Sequence, residues 1–241
     1  MKKNIALIAT LILFGTAACG QEEIDSSVAY VALGDSLAAG QTPYSEIDAG
    51  YADIIAEELE NKEQLARYTK DLAVPGYTTE DILQQLDSKE AQETVQSADL
   101  ITISAGANDL LRLVRLNPAN GEVEFDEVQV EAELGNIRSN MDTMLANLKT
   151  QAPEAHIYVM GYYFPFPHLQ EEQKAELAVK LDQLNETLEQ VAEQQDADFI
   201  PVDDVFGNDA TDKLPNASDI HPNNEGYAAM ADAFLERYES Q

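Results

Sequence analysis

Apolar and polar positions fall into blocks along this chain, and the blocks carry two different periods. From Val28 to Leu33 the run VAYVAL is almost continuously apolar and rich in β-formers, and it stops at Gly34-Asp35-Ser36. Such a run reads as a strand buried on both faces of a parallel sheet, and the stop as a tight turn into a helix. Between Ala49 and Leu59, the residues Tyr51, Ile54, Ile55 and Leu59 share one side with acidic residues between them, the pattern of a helix laid on a sheet. The pair then recurs. A strand is expected over Arg67–Val74, Pro75-Gly76 breaks it, and Thr78 with Asp81 gives the spacing of a capping box opening a second helix. Asp99–Ser104 predicts a third strand, followed by Gly106-Ala107-Asn108-Asp109 and a helix over Leu110–Leu116.

Residues Asn117–Asp126 hold Pro118 and Asn120-Gly121 with no helical period, so they read as an excursion and a candidate lid. Beyond it Val130, Leu134, Ile137, Met141, Leu145 and Leu148 recur every three or four residues, a long amphipathic helix. Ile157–Met160 predicts a fourth strand and Phe199-Ile200 sits in a short fifth. Leu177, Leu181, Leu184, Leu188 and Val191 mark the long helix between them, and Asn224–Tyr238 a closing helix. Strands alternating with helices argue for one α/β domain over residues 28–241, a parallel sheet with helices on both faces.

The N-terminus changes that picture only in where the domain resides. Lys2 and Lys3, an apolar stretch from Ile5 to Phe14 and small residues up to Cys19 form a signal-peptide pattern over residues 1–18, too short for a stable membrane span. Cys19, the single cysteine, follows Thr16-Ala17-Ala18 as the lipidated residue of a bacterial lipobox would, with Thr16 departing from the usual leucine. An extracytoplasmic protein on the outer face of the membrane is therefore expected, with plain secretion as the alternative. Residues 19–27 supply the lipidated cysteine and a short acidic tether. With one cysteine no disulfide forms within the chain, so its stability rests on packing.

Against 14 basic residues stand 45 acidic ones, a formal net charge of −31. That field disfavours nucleic acid and anionic head groups as partners. It fits a saline or alkaline habitat and equally a plain solubility device. Three scattered histidines, His156, His168 and His221, with no metal-ligand spacing and no phosphate-binding glycine pattern, give no reason to expect a metal or a cofactor.

The chemistry concentrates at the strand ends. Ser36 is either a hydroxyl lifted above the sheet edge or, with Asp35, only a helix cap. A serine becomes nucleophilic when a base takes its proton and an acceptor holds that base in one tautomer. Of the three histidines only His221 has a carboxylate two residues earlier, Asp219, and in extended chain the two point the same way. Asn108 is a candidate amide donor or a turn residue, and Gly76 lets backbone approach a substrate closely.

Taken in order, Gly34-Asp35-Ser36, the Gly76 stretch LAVPGYTTEDIL, Gly106-Ala107-Asn108-Asp109 and Asp219-Ile220-His221-Pro222 resemble the four sequence blocks of the SGNH, or GDSL, hydrolase family. The nearest likeness is to the lysophospholipase-like and lipase-like branch of bacterial lipoproteins and secreted proteins, which shares a segment like Gly161–Pro167. The resemblance implies a flavodoxin-like three-layer α/β/α sandwich with a five-stranded parallel sheet. It also implies a serine esterase, with Ser36 as nucleophile, His221 as base, Asp219 as orienting acid and Ser36, Gly76 and Asn108 as the oxyanion hole. Asp71 stands where this family often has Asn. The rival readings are an O-acetylesterase acting on wall or capsule sugars and a binding lipoprotein that kept the fold without the catalysis. Tyr162, Tyr163, Phe164, Pro165 and Phe166 either line an acyl groove or pack in the core; chain-length preference and oligomeric state are not legible.

Overall fold

The computed structural model describes residues 27–116, 123–207 and 209–240. The signal-peptide and lipidation expectations, including Cys19, and the centre of the 117–126 excursion lie outside these residues. In chain order the elements are β1 (Val28–Gly34), α1 (Ser36–Ala39), α2 (Tyr51–Asn61), β2 (Leu65–Ala73), α3 (Thr79–Leu86), α4 (Lys89–Val95), β3 (Leu100–Ser104) and α5 (Ala107–Leu111). There follow β4 (Arg115–Leu116), β5 (Val123–Glu124), α6 (Glu127–Gln151), β6 (His156–Met160), α7 (Glu171–Gln194), β7 (Asp198–Ile200), α8 (Asp203–Phe206) and α9 (Asn224–Glu239).

Five strands form one sheet in the order β2-β1-β3-β6-β7, every pair parallel. The central strands are the fully apolar runs: Tyr30 to Leu33, and Leu100, Ile101 and Ile103, are buried. This is the burial on both faces that helices above and below a parallel sheet require. After β1 the chain steps to β2 on one side; every later crossover steps the other way. Right-handed connections therefore place α2 and α9 together on one face and α3, α4, α6 and α7 on the other. The α/β/α sandwich expected from the sequence is the fold observed.

The reversal of direction falls between β1 and β3, and at such a switch point the loops leaving the two strands part and open a crevice at their carboxyl ends. Gly34 ends β1 at φ +135°, and a Cβ there would stand 2.2 Å from the Ser104 carbonyl oxygen, so only glycine lets the two strand ends lie this close. The Asp35 N–H then donates to that same carbonyl at 2.9 Å.

The long helices follow their apolar periods. In α6, Val130, Ile137, Met141, Leu145 and Leu148 are buried and Leu134 packs against the core from a partly buried position. The capping box forms as spaced, with Thr78 Oγ1 accepting from the Asp81 N–H and Asp81 Oδ2 from the Thr78 N–H. One expected element is corrected. The helix over Leu110–Leu116 is instead the short α5, and Arg115–Leu116 pairs antiparallel with Val123–Glu124. Pairing of Arg115 and Leu116 with Glu124 and Val123 takes backbone groups that the helix would have used. The sequence reading also passed over α4, which Ser88 caps by accepting from the Ala91 N–H.

Candidate active site

Ser36 is the first residue of α1, placed by the Gly34-Asp35 turn. Asp35 caps that helix and does more. Its Oδ1 accepts from the Leu37 N–H (3.0 Å) and the Ser104 hydroxyl (2.8 Å), while Oδ2 accepts from the Tyr162 hydroxyl at 2.6 Å. It is buried, and burial raises its pKa above the ordinary carboxyl value, with the three donors partly offsetting the shift. Every oxygen of Asp35 faces the scaffold, so it supports the turn from beneath rather than serving Ser36's partner.

Asp219 and His221 arrive on the loop before α9. Asp219 Oδ1 accepts both from the backbone N–H of His221 (2.8 Å) and from its Nδ1 (2.7 Å). A carboxylate acceptor at Nδ1 keeps the ring proton there, so Nε2 presents a lone pair. Nε2 lies 2.9 Å from Ser36 Oγ, across 185 residues of sequence. Two further contacts hold this loop: the Tyr163 hydroxyl donates to the Ile220 carbonyl at 2.8 Å, and the Tyr163 ring stacks on Phe206 at 3.9 Å. On α9 itself, Asn223 caps the helix through the Gly226 N–H.

Asn108, in the first turn of α5, faces the crevice, and its Nδ2 donates to the Tyr77 carbonyl at 2.8 Å. An amide has two such hydrogens, so one remains for the crevice. The bond also ties α5 to the Gly76 turn, where Gly76 adopts φ +82° in open space. Asp109 fixes α5 from behind by accepting from the N–H (3.0 Å) and hydroxyl (2.6 Å) of Thr79. Burial raises the Asp109 pKa as well.

Ser36, Asn108 and His221 thus meet at one end of a cleft of about 730 Å³ including its mouth. Most of the rest of its wall is apolar: Leu110, Leu111 and Val114 beyond α5's start, Leu177, Leu181 and Leu184 from α7, with Lys180 among them. The aromatic segment divides between the two roles open to it. Tyr162 and Tyr163 are buried supports with hydroxyls bonded beneath the site that also reach the cleft wall, while Pro165 and Phe166 line the cleft without those bonds.

The other histidines stand apart. His156 opens β6 exposed to solvent, and His168 bonds the Leu214 carbonyl at 2.8 Å, joining two loops away from Ser36. Asp71 is exposed on β2, its N–H bonded to Thr69 Oγ1, so its departure from the family's Asn does not reach the site. Among the described residues no group of three or more His, Cys, Asp or Glu side chains is arranged to hold a metal ion.

Sequence reasoning missed Gln41, whose side-chain amide lies 3.3 Å from His221 Nδ1 and whose backbone is held by the Ser36 carbonyl and the Tyr227 hydroxyl. It also missed Asn185 on α7, which bonds both the N–H and the carbonyl of Tyr162 (2.9 and 2.8 Å) and so fixes the ring that holds Asp35. An Asn inside a leucine stripe is the one signal that pointed there.

Residues 32–229 match the model of the GDSL-like lipase/acylhydrolase family. The chain is 24% identical to the uncharacterized protein YpmR of Bacillus subtilis, over 96% of this chain and 94% of that protein. It is 29% identical to the spore germination lipase LipC of Bacillus licheniformis, over 84% of this chain and 92% of that protein. Among solved structures it is similar in fold to the lipase Lip_vut3 from a goat rumen metagenome, with a TM-score of 0.70 at 22% identity, covering 87% of this chain and 97% of that one.

Proposed function

Because the chain belongs to the GDSL-like lipase/acylhydrolase family and so is a hydrolase acting on esters, we propose that it is a serine esterase whose nucleophile is Ser36. One observation carries this reading: the unbroken run from Asp219 Oδ1 through His221 to Ser36 Oγ at the polar end of an apolar cleft. His221 Nε2 takes the hydroxyl proton as Ser36 Oγ attacks the ester carbonyl, and the imidazolium so formed is stabilised by Asp219. The oxygen that becomes negative is met by the N–H groups of Ser36 and Gly76 and by the free amide hydrogen of Asn108. His221 then returns the proton to the leaving alcohol, and water, activated by the same base, releases the acid.

The wall of leucines, Val114 and Phe166 favours an acyl chain over a sugar, which supports a lipase-like or lysophospholipase-like ester rather than an acetylated carbohydrate. The N-terminal pattern supports export and anchoring through Cys19. A fluorophosphonate serine probe tests the catalytic reading. Labelling of the wild type, lost in Ser36→Ala, is the expected result, and a wild type that stays unlabelled and inactive on p-nitrophenyl esters would leave a binding protein in its place.

A further inference from the structure

The apolar cleft has a direction. Leu184 marks its catalytic end, because a Cβ on Gly106, two residues before Asn108, would stand 3.2 Å from a Leu184 methyl, and the adjacent Asn185 clamps Tyr162. From Leu184 toward the start of α7 the wall continues with Leu181, Lys180 and Leu177, about 10 Å of helix at 1.5 Å per residue. The wall is completed by α5 and the residues after it, through Asn108, Leu111 and Val114.

Lys180 crosses this path about 6 Å of helix from Leu184. It lines the cleft and also a second, more polar groove on its far side, formed with Val123, Phe125, Glu127 and Val179. Its side chain is only 15% exposed. The ammonium is held on the groove side: Nζ donates to Glu127 Oε2 at 2.5 Å and to Gln183 Oε1 at 3.3 Å, and lies 5.6 Å from the centre of the Phe125 ring. A lysine stem is apolar and packs against apolar surface while its head stays with polar partners. Here the stem is the partition between the two spaces, and Glu127 and Phe125 pin the head so that the stem does not swing aside.

The geometry points to Lys180 as the distal stop of an acyl-binding cleft, making this enzyme selective for esters of short-chain acids. The inference rests on the proposed role of Ser36 at the cleft's other end. A path of about 6 Å, at roughly 1.3 Å of rise per tetrahedral carbon–carbon bond, admits an acyl chain of about five carbons. Longer chains must displace Lys180 from Glu127 or bend out through the mouth.

The test compares wild type, Lys180→Ala and Lys180→Met on p-nitrophenyl esters from acetate to palmitate. The wild type should be fastest near pentanoate. In Lys180→Ala the ratio of kcat/KM for palmitate to that for butyrate should rise on the order of tenfold or more, the scale on which apolar pockets discriminate methylenes. Lys180→Met, which keeps the stem's bulk, should retain the wild-type profile. An unchanged ratio in Lys180→Ala overturns the inference, and so does a Met variant that behaves like Ala, because the charge and not the stem would then set the limit. The second arm needs no turnover: palmitate should displace a fluorescent fatty acid from Ser36→Ala/Lys180→Ala more tightly than from Ser36→Ala. Equal affinities overturn the stop even where esters are hydrolysed, whereas a wild type that hydrolyses no ester but shows the displacement difference loses only the catalytic reading.

Discussion

At the scale of single residues, the division of labour within Asn108 carries a prediction. One amide hydrogen is committed to the Tyr77 carbonyl, which holds the side chain in place before substrate arrives, and the other is left to the developing oxyanion. Asn108→Ala should therefore lower kcat by roughly 10² to 10³ with little change in KM, the loss seen when one oxyanion donor is removed. A change confined to KM in steady-state assays would make Asn108 a ground-state contact. Asp35 gives a second prediction, in stability against pH. Its folded pKa is raised by burial, so between the ordinary carboxyl value and the raised one the folded state binds more protons than the unfolded state. Stability falls as pH rises through that window, and the cost persists above it. Asn at this position still accepts from Leu37 and Ser104 and turns an N–H toward the Tyr162 oxygen. In urea titrations Asp35→Asn should gain on the wild type in going from pH 4 to pH 7; a relative loss over that range would contradict the assignment.

Elements show where sequence was enough. Runs such as VAYVAL and LITIS are buried on both faces, a condition set by composition over five or more residues, so β1 and β3 were legible without any tertiary knowledge. The stripe of α6 was legible for the same reason. Where outcome depended on a distant partner, the reading failed: α5 stops early because Arg115 and Leu116 pair with Glu124 and Val123. Site residues divide the same way. Ser36, Asp219 and His221 sit in short local patterns, whereas Gln41, Tyr162 and Lys180 act through partners 180, 127 and 53 residues away. The tightest joint between elements is Gly34, where β1 and β3 meet beneath the nucleophile. Gly34→Ala puts a methyl against backbone at a φ that side chains avoid, and should cost about 3 kcal/mol or more of unfolding free energy. Calorimetry giving an unchanged Tm would show that the strand ends separate freely.

For the molecule as a whole, charge and geometry bear on which esters arrive. Acidic residues outnumber basic ones 45 to 14, so anionic esters approach against a repulsive field. Added salt screens that field over about 8 Å at physiological ionic strength, and should raise kcat/KM for anionic esters while leaving neutral ones of the same acyl chain nearly unchanged. Matched responses of the two would remove the surface field from substrate selection and leave the cleft alone to decide. The sheet also orients the molecule. Val28 begins β1 at one edge and Ser36 follows its other end, about 23 Å away at ~3.3 Å per residue. An enzyme anchored through Cys19 would present its catalytic edge away from the attachment point.

The central claim is that Ser36 and His221, joined at 2.9 Å and oriented by Asp219, act as one catalytic unit. The kinetics of Ser36→Ala, His221→Ala and the double variant on one p-nitrophenyl ester test it most directly. Each single change should lower kcat by on the order of 10⁴ to 10⁶, with the double variant little worse than either alone. Losses that multiply in the double variant would mean that the two side chains contribute independently, and would contradict the account.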